Sequence, residues 1–196
     1  SLIDVNLAVG TIVGIHRCEN LIDSGRHLLG ALYILYGPLT TLVYTTGNGV
    51  HEFVLNPEGE FILTKAYIKM KDKGSIYSPG GLRSEWIDAH REYIDDLVQT
   101  DYKLRYSGGL VPDFNQILMK GGGLFSYPAL KAKPEGKLRL LFELYPLAFL
   151  CEQAGGKGVF VRLRPLGNLR CLDAGKTRAF IRQGGLLADS ASFHEH

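Results

Sequence analysis

Strand-like and helix-like stretches follow one another along this chain without a fixed spacing, and that mixture predicts an α/β protein built in layers. Three observations carry the prediction. Short runs are rich in β-branched and aromatic residues, other runs repeat their apolar residues at helical spacing, and glycine or proline turns divide the two. The regular βαβ rhythm of a dinucleotide-binding fold is absent, and no internal repeat or low-complexity linker interrupts the chain.

Taken in order, Leu7 to Ile15 (LAVGTIVGI) reads as a buried strand. Ser24 is placed to cap a helix through Leu28, Leu29, Leu32, Tyr33 and Tyr36, stopped by Gly37-Pro38. TTLVYTT, HEFVLN and EFILTKA follow as strands. Gly47-Asn48-Gly49 divides the first two, and Pro57 with Gly59 divides the others, which predicts an antiparallel meander. Ser78-Pro79-Gly80-Gly81 reads as a turn, and Ser84 opens a helix carrying Trp86, Ile87, Tyr93, Ile94, Leu97 and Val98. KLRYSG is a short strand, Val111 to Lys120 a helix ended by Gly121-Gly122-Gly123, and GLFSYP another strand. The last helix starts near Pro146, which suits a first helical turn, and stops at Gly155-Gly156. From Val159 onward the chain is rich in cations without a convincing period, and no element is assigned there.

The 196 residues are 45% hydrophobic and 21% charged, enough for a domain with a real core. No run reaches the ~20 apolar residues of a membrane span, and no basic segment followed by an apolar one opens the chain. A soluble, cytoplasmic protein is expected, with no membrane partner. A net charge of +2 gives no reason to expect nucleic acid. Cys18, Cys151 and Cys171 lie far apart and form no CxxC pair, so inert thiols are the expected reading.

P-loop, HExxH, GxSxG and EF-hand signatures are all missing. His194 and His196 flank Glu195 at the terminus, where a frayed end is a better reading than a metal site. The stretch from Lys131 to Arg139 carries four cations against one acid, which suits either a small anion or a solvated face. Arg105-Tyr106-Ser107-Gly108-Gly109 puts a guanidinium and a phenol beside glycines at a strand end. That is the chemistry of a phosphate site, though from these residues alone a surface Arg stacked on a core Tyr is the better reading. Tyr127 and Lys137, ten residues apart, are either converging anion ligands or ordinary loop residues. Glu143 interrupts the apolar LRLLFELYPLAFL. A carboxylate there needs a partner, either a bound cation such as Mg2+ or a salt bridge to Arg139.

Five ordered segments, SLIDVNLAVGTIVGI, ALYILYGP, YSPGGLR, KLRYSGGLVPDFNQ and GKLRLLFELYPLAFLCEQAGG, resemble the class I fructose-1,6-bisphosphatases and the related sedoheptulose-1,7-bisphosphatases. The resemblance covers residues 1–158, leaving 159–196 as an atypical tail. It implies the layered α/β sugar-phosphatase fold shared with inositol monophosphatases, here its C-terminal part. It also implies Mg2+-dependent hydrolysis of the 1-phosphate of fructose 1,6-bisphosphate. Glu143 is similar to the family's metal-binding and catalytic Glu. Arg105 and Tyr106 match a pair on the distal phosphate, with the Arg reaching in from a neighbouring subunit of a homotetramer. Tyr127 matches a Tyr on that phosphate, Lys137 the Lys on sugar and phosphate, and Leu110 an apolar contact to the sugar. Ser1 is similar to the second Ser of the DPLDGSS motif beside the 1-phosphate.

Three departures qualify these expectations. The sequence begins inside DPLDGSS, so the Asp ligands of that motif and an earlier Glu ligand are expected to be missing with the front third, leaving the chain alone weakly active. Gly81 stands where sedoheptulose-type members carry an Asn, and Arg83 is the expected substitute. The tail after Gly158 does not resemble the family's usual ending, which carries a further strand.

Overall fold

A computed structural model of the chain describes residues 2–17, 28–128, 130–132, 137–160 and 179–183. The amino-terminal part is a five-stranded antiparallel meander: β1 (Val9–His16), β2 (Leu28–Tyr36), β3 (Thr40–Thr45), β4 (His51–Leu55) and β5 (Phe61–Lys65), each paired with the next. The strand expected over residues 7–15 and the three-strand meander are present. The β3–β4 turn holds Gly47 and Gly49 at φ values of 95° and 78°, which only glycine adopts without strain.

The helix expected through Leu28–Tyr36 is instead strand β2, hydrogen-bonded to β1 on one side and β3 on the other (Ala31 faces Gly14 and Thr45). Apolar residues on both faces of LLGALYILY hide the two-residue period of a strand behind an accidental helical one. Gly30 in the middle of the run was the contrary signal, since glycine costs about 1 kcal/mol inside a helix. In the strand, a side chain there would stand 3.2 Å from the Thr45 carbonyl oxygen. Ser24 lies outside the described residues.

The second sheet is parallel throughout. Its order is β7 (Lys103–Leu104), β6 (Ile76–Pro79), β8 (Gly123–Tyr127), β10 (Ala179–Gln183) and β9 (Lys157–Phe160). Here β6 corrects the reading of Ser78-Pro79 as a turn. All four of its residues are buried, and proline is tolerated because it closes the strand. The chain turns one residue later, at Gly80-Gly81, with Gly81 at φ 81°. Strand β10 is a further correction, because it inserts an element between β8 and β9 where the sequence pattern assigned none.

Among the described residues three α-helices fill the layers: α1 (Asp88–Gln99), α2 (Leu110–Met119) and α3 (Tyr145–Gln153). Helix α1 starts after a 3-10 turn at Arg83–Glu85 rather than at Ser84 itself. It packs Ile94 and Leu97 on Tyr77 and Leu124 of one face of the parallel sheet. Helices α2 and α3 lie between the two sheets, in one core with Tyr33, Val43, Phe125 and Leu147. Phe114, Ile117 and Leu118 fix α2 there, each buried to within 1%. Burying each such side chain contributes roughly 1.5–3 kcal/mol, well above the differences in helix propensity between residues. The layer order is therefore antiparallel sheet, helices, parallel sheet, helix. Among the described residues no helix is long and apolar enough to cross a membrane.

Candidate functional site

In an open parallel sheet, ligands bind beyond the carboxyl ends of the strands, where loops meet helix N-termini. Strands β6, β7 and β8 are neighbours, and their carboxyl ends bring Gly80, Arg105-Tyr106 and Tyr127 together. The main chain holds this edge rigidly. Arg105 N–H donates to the Tyr77 carbonyl at 2.9 Å, Gly80 N–H donates to that of Ser126 at 2.7 Å, and the Ser78 hydroxyl donates to the Arg105 carbonyl. Ser107 N–H donates to Asp113 Oδ1 at 2.8 Å, and Gly109 N–H donates to the Ser107 hydroxyl at 3.2 Å.

The side chains converge as their spacing allowed. The Tyr106 phenol lies near enough to that of Tyr127 for the two to interact, and Lys137 Nζ stands 5.8 Å from the centre of the Tyr127 ring, within cation–π range. The Tyr106 phenol is pushed up to about 12, first by partial burial (the residue as a whole is 44% exposed), then by Tyr127 and the negative Asp113, with Lys137 acting the other way. Tyr106 is therefore a protonated donor at neutral pH. Two phenols and an ammonium can hold a dianion, and none of the three is a base or a nucleophile poised for catalysis.

Arg105 is exposed, with Nη1 donating to the Leu104 carbonyl at 3.0 Å. Arg83 sits apart on the 3-10 turn, with Nη2 on both Asp95 oxygens at 2.7 and 2.8 Å and its guanidinium 5.9 Å from the Trp86 ring. Ser1 lies outside the described residues.

Glu143 occupies a π-helical turn, Leu140–Leu144, that runs straight into α3; such turns recur at functional positions. Its carboxylate accepts the Arg139 N–H at 2.7 Å and the Arg139 guanidinium at 2.8 Å. Glu143 and Leu110 line one cleft of about 320 Å3, together with Gly10, Pro112, Arg139 and Phe142. Of the two partners the sequence left open for Glu143, the structure shows Arg139. Among the described residues no three His, Cys, Asp or Glu side chains stand together to hold a metal ion. The carboxylate in the cleft is already neutralised, so the described residues do not build a complete Mg2+ site.

Sequence reasoning passed over Asp113, Ser78 and Gly80. Asp113 is 1% exposed, and an acid inside LVPDFNQIL was a signal of the same kind as Glu143. Ser78 and Gly80 were hidden by the turn reading.

Helices between an antiparallel and a parallel sheet, with phenols, an ammonium and main-chain bonds gathered at the parallel sheet's carboxyl edge, define a layered α/β protein. Two family models match in sequence: "Fructose-1-6-bisphosphatase, N-terminal domain" over residues 1–66 and "Fructose-1-6-bisphosphatase, C-terminal domain" over residues 70–169. The chain belongs to the fructose-1,6-bisphosphatase family. The boundary between the two models falls between the two sheets. The chain is 59% identical to a class 1 fructose-1,6-bisphosphatase of Trichlorobacter lovleyi, over 80% of this chain and 50% of that protein. It is 61% identical to one of Syntrophotalea carbinolica, over 80% and 49%. The crystal structure of Leishmania major fructose-1,6-bisphosphatase in holo form superposes with a TM-score of 0.73 at 41% identity, covering 80% of this chain and 54% of that one. The chain thus spans about half the length of the relatives it matches.

Proposed function

We propose that this chain carries the sugar-phosphate-binding part of an enzyme that hydrolyses the 1-phosphate of fructose 1,6-bisphosphate, giving fructose 6-phosphate and phosphate. The observation that supports the reading is the meeting of Tyr106, Tyr127 and Lys137 at the carboxyl edge of the parallel sheet. In this reading the three hold the distal phosphate by donated hydrogen bonds and charge, and Leu110 packs against the sugar. The exposed Arg105 serves the site of a neighbouring subunit in a homotetramer, and Arg83 assists across the Gly80-Gly81 turn. Ser1 lies beside the 1-phosphate. The proposed setting is cytoplasmic.

Mg2+ is the proposed cofactor and Glu143 one of its ligands, the others being drawn from the part of the family's length outside this chain. A bound Mg2+ supplies charge neutralisation of the phosphate and a more acidic water. The chain's own residues bind and orient: Tyr106 stays protonated, and Glu143, now paired with Arg139, would be the carboxylate this chain offers to the cation. A second reading is favoured by the Arg139–Glu143 pair, in which this chain by itself binds sugar phosphates without hydrolysing them. Sedoheptulose 1,7-bisphosphate is the alternative substrate, since one more carbon in the sugar is weak ground for discrimination.

The test is calorimetric titration of the chain with fructose 1,6-bisphosphate and with fructose 1-phosphate, which lacks the distal phosphate. The bisphosphate should bind at least about tenfold tighter, and Lys137→Ala should remove the difference. Equal affinities would overturn the reading. An Arg83→Ala variant of unchanged affinity would remove Arg83 from it.

A further inference from the structure

Asp113 is a buried carboxylate that no role above uses. It lies in the first turn of α2, 1% exposed, where an isolated charge is costly to bury. Ser107 N–H donates to Oδ1 at 2.8 Å, Oδ2 is buried with no hydrogen-bond partner among the described residues, and Gly108 N–H and the Ser107 and Ser78 hydroxyls are near enough to favour the charged form. They offset a burial that still leaves its pKa raised. The positive end of the α2 dipole adds to them. Ser107 belongs to the loop after β7, so its bond to the carboxylate ties the helix to the loop. Ser78 meanwhile donates to the Arg105 carbonyl. The loop is therefore gripped at Arg105 from one side and at Ser107 from the other, and Tyr106 lies between the two grips.

We propose that Asp113 is the positioning residue of this anion site, holding the Arg105–Gly109 loop so that the Tyr106 hydroxyl meets Tyr127 and both face the distal phosphate. The inference rests on the distal-phosphate reading above. It also accounts for a carboxylate beside a site for anions, which charge alone opposes. The Ser107 N–H presents a donor at this point, and Asp113 Oδ1 accepts it. Losing the acceptor leaves the Ser107 N–H without its partner, a larger penalty than the screened repulsion it removes.

The experiment compares the dissociation constant for fructose 6-phosphate and the thermal midpoint in wild type, Asp113→Ala, Asp113→Asn and Ser78→Ala. Asp113→Ala should weaken binding about tenfold per folded molecule, with Asp113→Asn falling between it and wild type. Ser78→Ala, whose smaller side chain fits the same buried space, should cost about threefold and decides the matter if Asp113→Ala does not fold. Lower midpoints with unchanged dissociation constants would show a merely structural acid and overturn the inference. A wild type that binds no fructose 6-phosphate would instead overturn the distal-phosphate reading, and this inference with it.

Discussion

Gly80 lies flat against the ring of Tyr127. A methyl group at position 80 would stand 2.3 Å from Cε2 of that ring, closer than any real contact. The ring takes its place at the end of β8 because Gly80, the residue just after β6, has no side chain, which couples the geometry of two strands at the proposed phosphate site. Gly80→Ala should therefore cost about 1–3 kcal/mol of stability, as overpacking does, and lower the thermal midpoint by roughly 2–10 °C. It should also weaken fructose 1,6-bisphosphate binding. A variant with wild-type midpoint and affinity would show that Tyr127 has no need of this space.

The protonation of Tyr106 gives a pH dependence with a definite sign. Its folded-state pKa of about 12 exceeds the ordinary phenol value of 10.0. The unfolded chain therefore gives up this proton first as pH rises. The corresponding stability is whole below pH ~10 and is lost as pH climbs toward ~12. Urea midpoints measured across that window should fall less steeply in Tyr106→Phe than in wild type. Identical slopes would contradict the partial burial and the Tyr127 contact assigned to this phenol.

Much of this was legible in the sequence, and the failures have physical causes. Strands β3, β4 and β5 were readable because turn residues divide them and their runs are rich in β-branched and aromatic residues. Strand β2 was not, because both of its faces are apolar and the decisive Gly30 was outweighed by five residues at helical spacing. Strand β6 was lost because Ser78-Pro79 has turn chemistry, and only its burial between β7 and β8 shows otherwise. Glu143 stood out as an acid in an apolar run, while Asp113 was equally anomalous but followed a glycine pair that drew attention to the loop instead. That Asp113 faces Ser78 depends on how α2 crosses the parallel sheet, which no local pattern encodes.

Arg139 and Glu143 form an ion pair whose arginine is largely exposed, with side chains 71% and 18% accessible. Exposed pairs contribute roughly 0–1 kcal/mol, and the Arg139 N–H still caps the carboxylate when the guanidinium is gone. Arg139→Ala should therefore shift the thermal midpoint by no more than about 4 °C. A much larger loss would mean that this pair, rather than the buried residues of α3, holds the π-helical turn in place.

Cys151 is fully buried, and burial pushes its thiol up to about 12. With Cys18 and Cys171 both replaced by serine, the folded protein should not react with a thiol-specific disulfide reagent at pH 8, and urea should release one reactive thiol. Rapid reaction of the folded form would show that the core around α3 opens readily.

The most direct test of the central claim is phosphate release from fructose 1,6-bisphosphate, with and without Mg2+. The protein to assay is this chain joined behind the amino-terminal portion of the Trichlorobacter lovleyi relative, beside this chain alone. The account expects Mg2+-dependent turnover by the joined protein, little by the chain alone, and none once Glu143→Gln is introduced. A joined protein that folds and binds the sugar bisphosphate yet releases no phosphate, or one whose turnover is indifferent to Glu143→Gln, would contradict it.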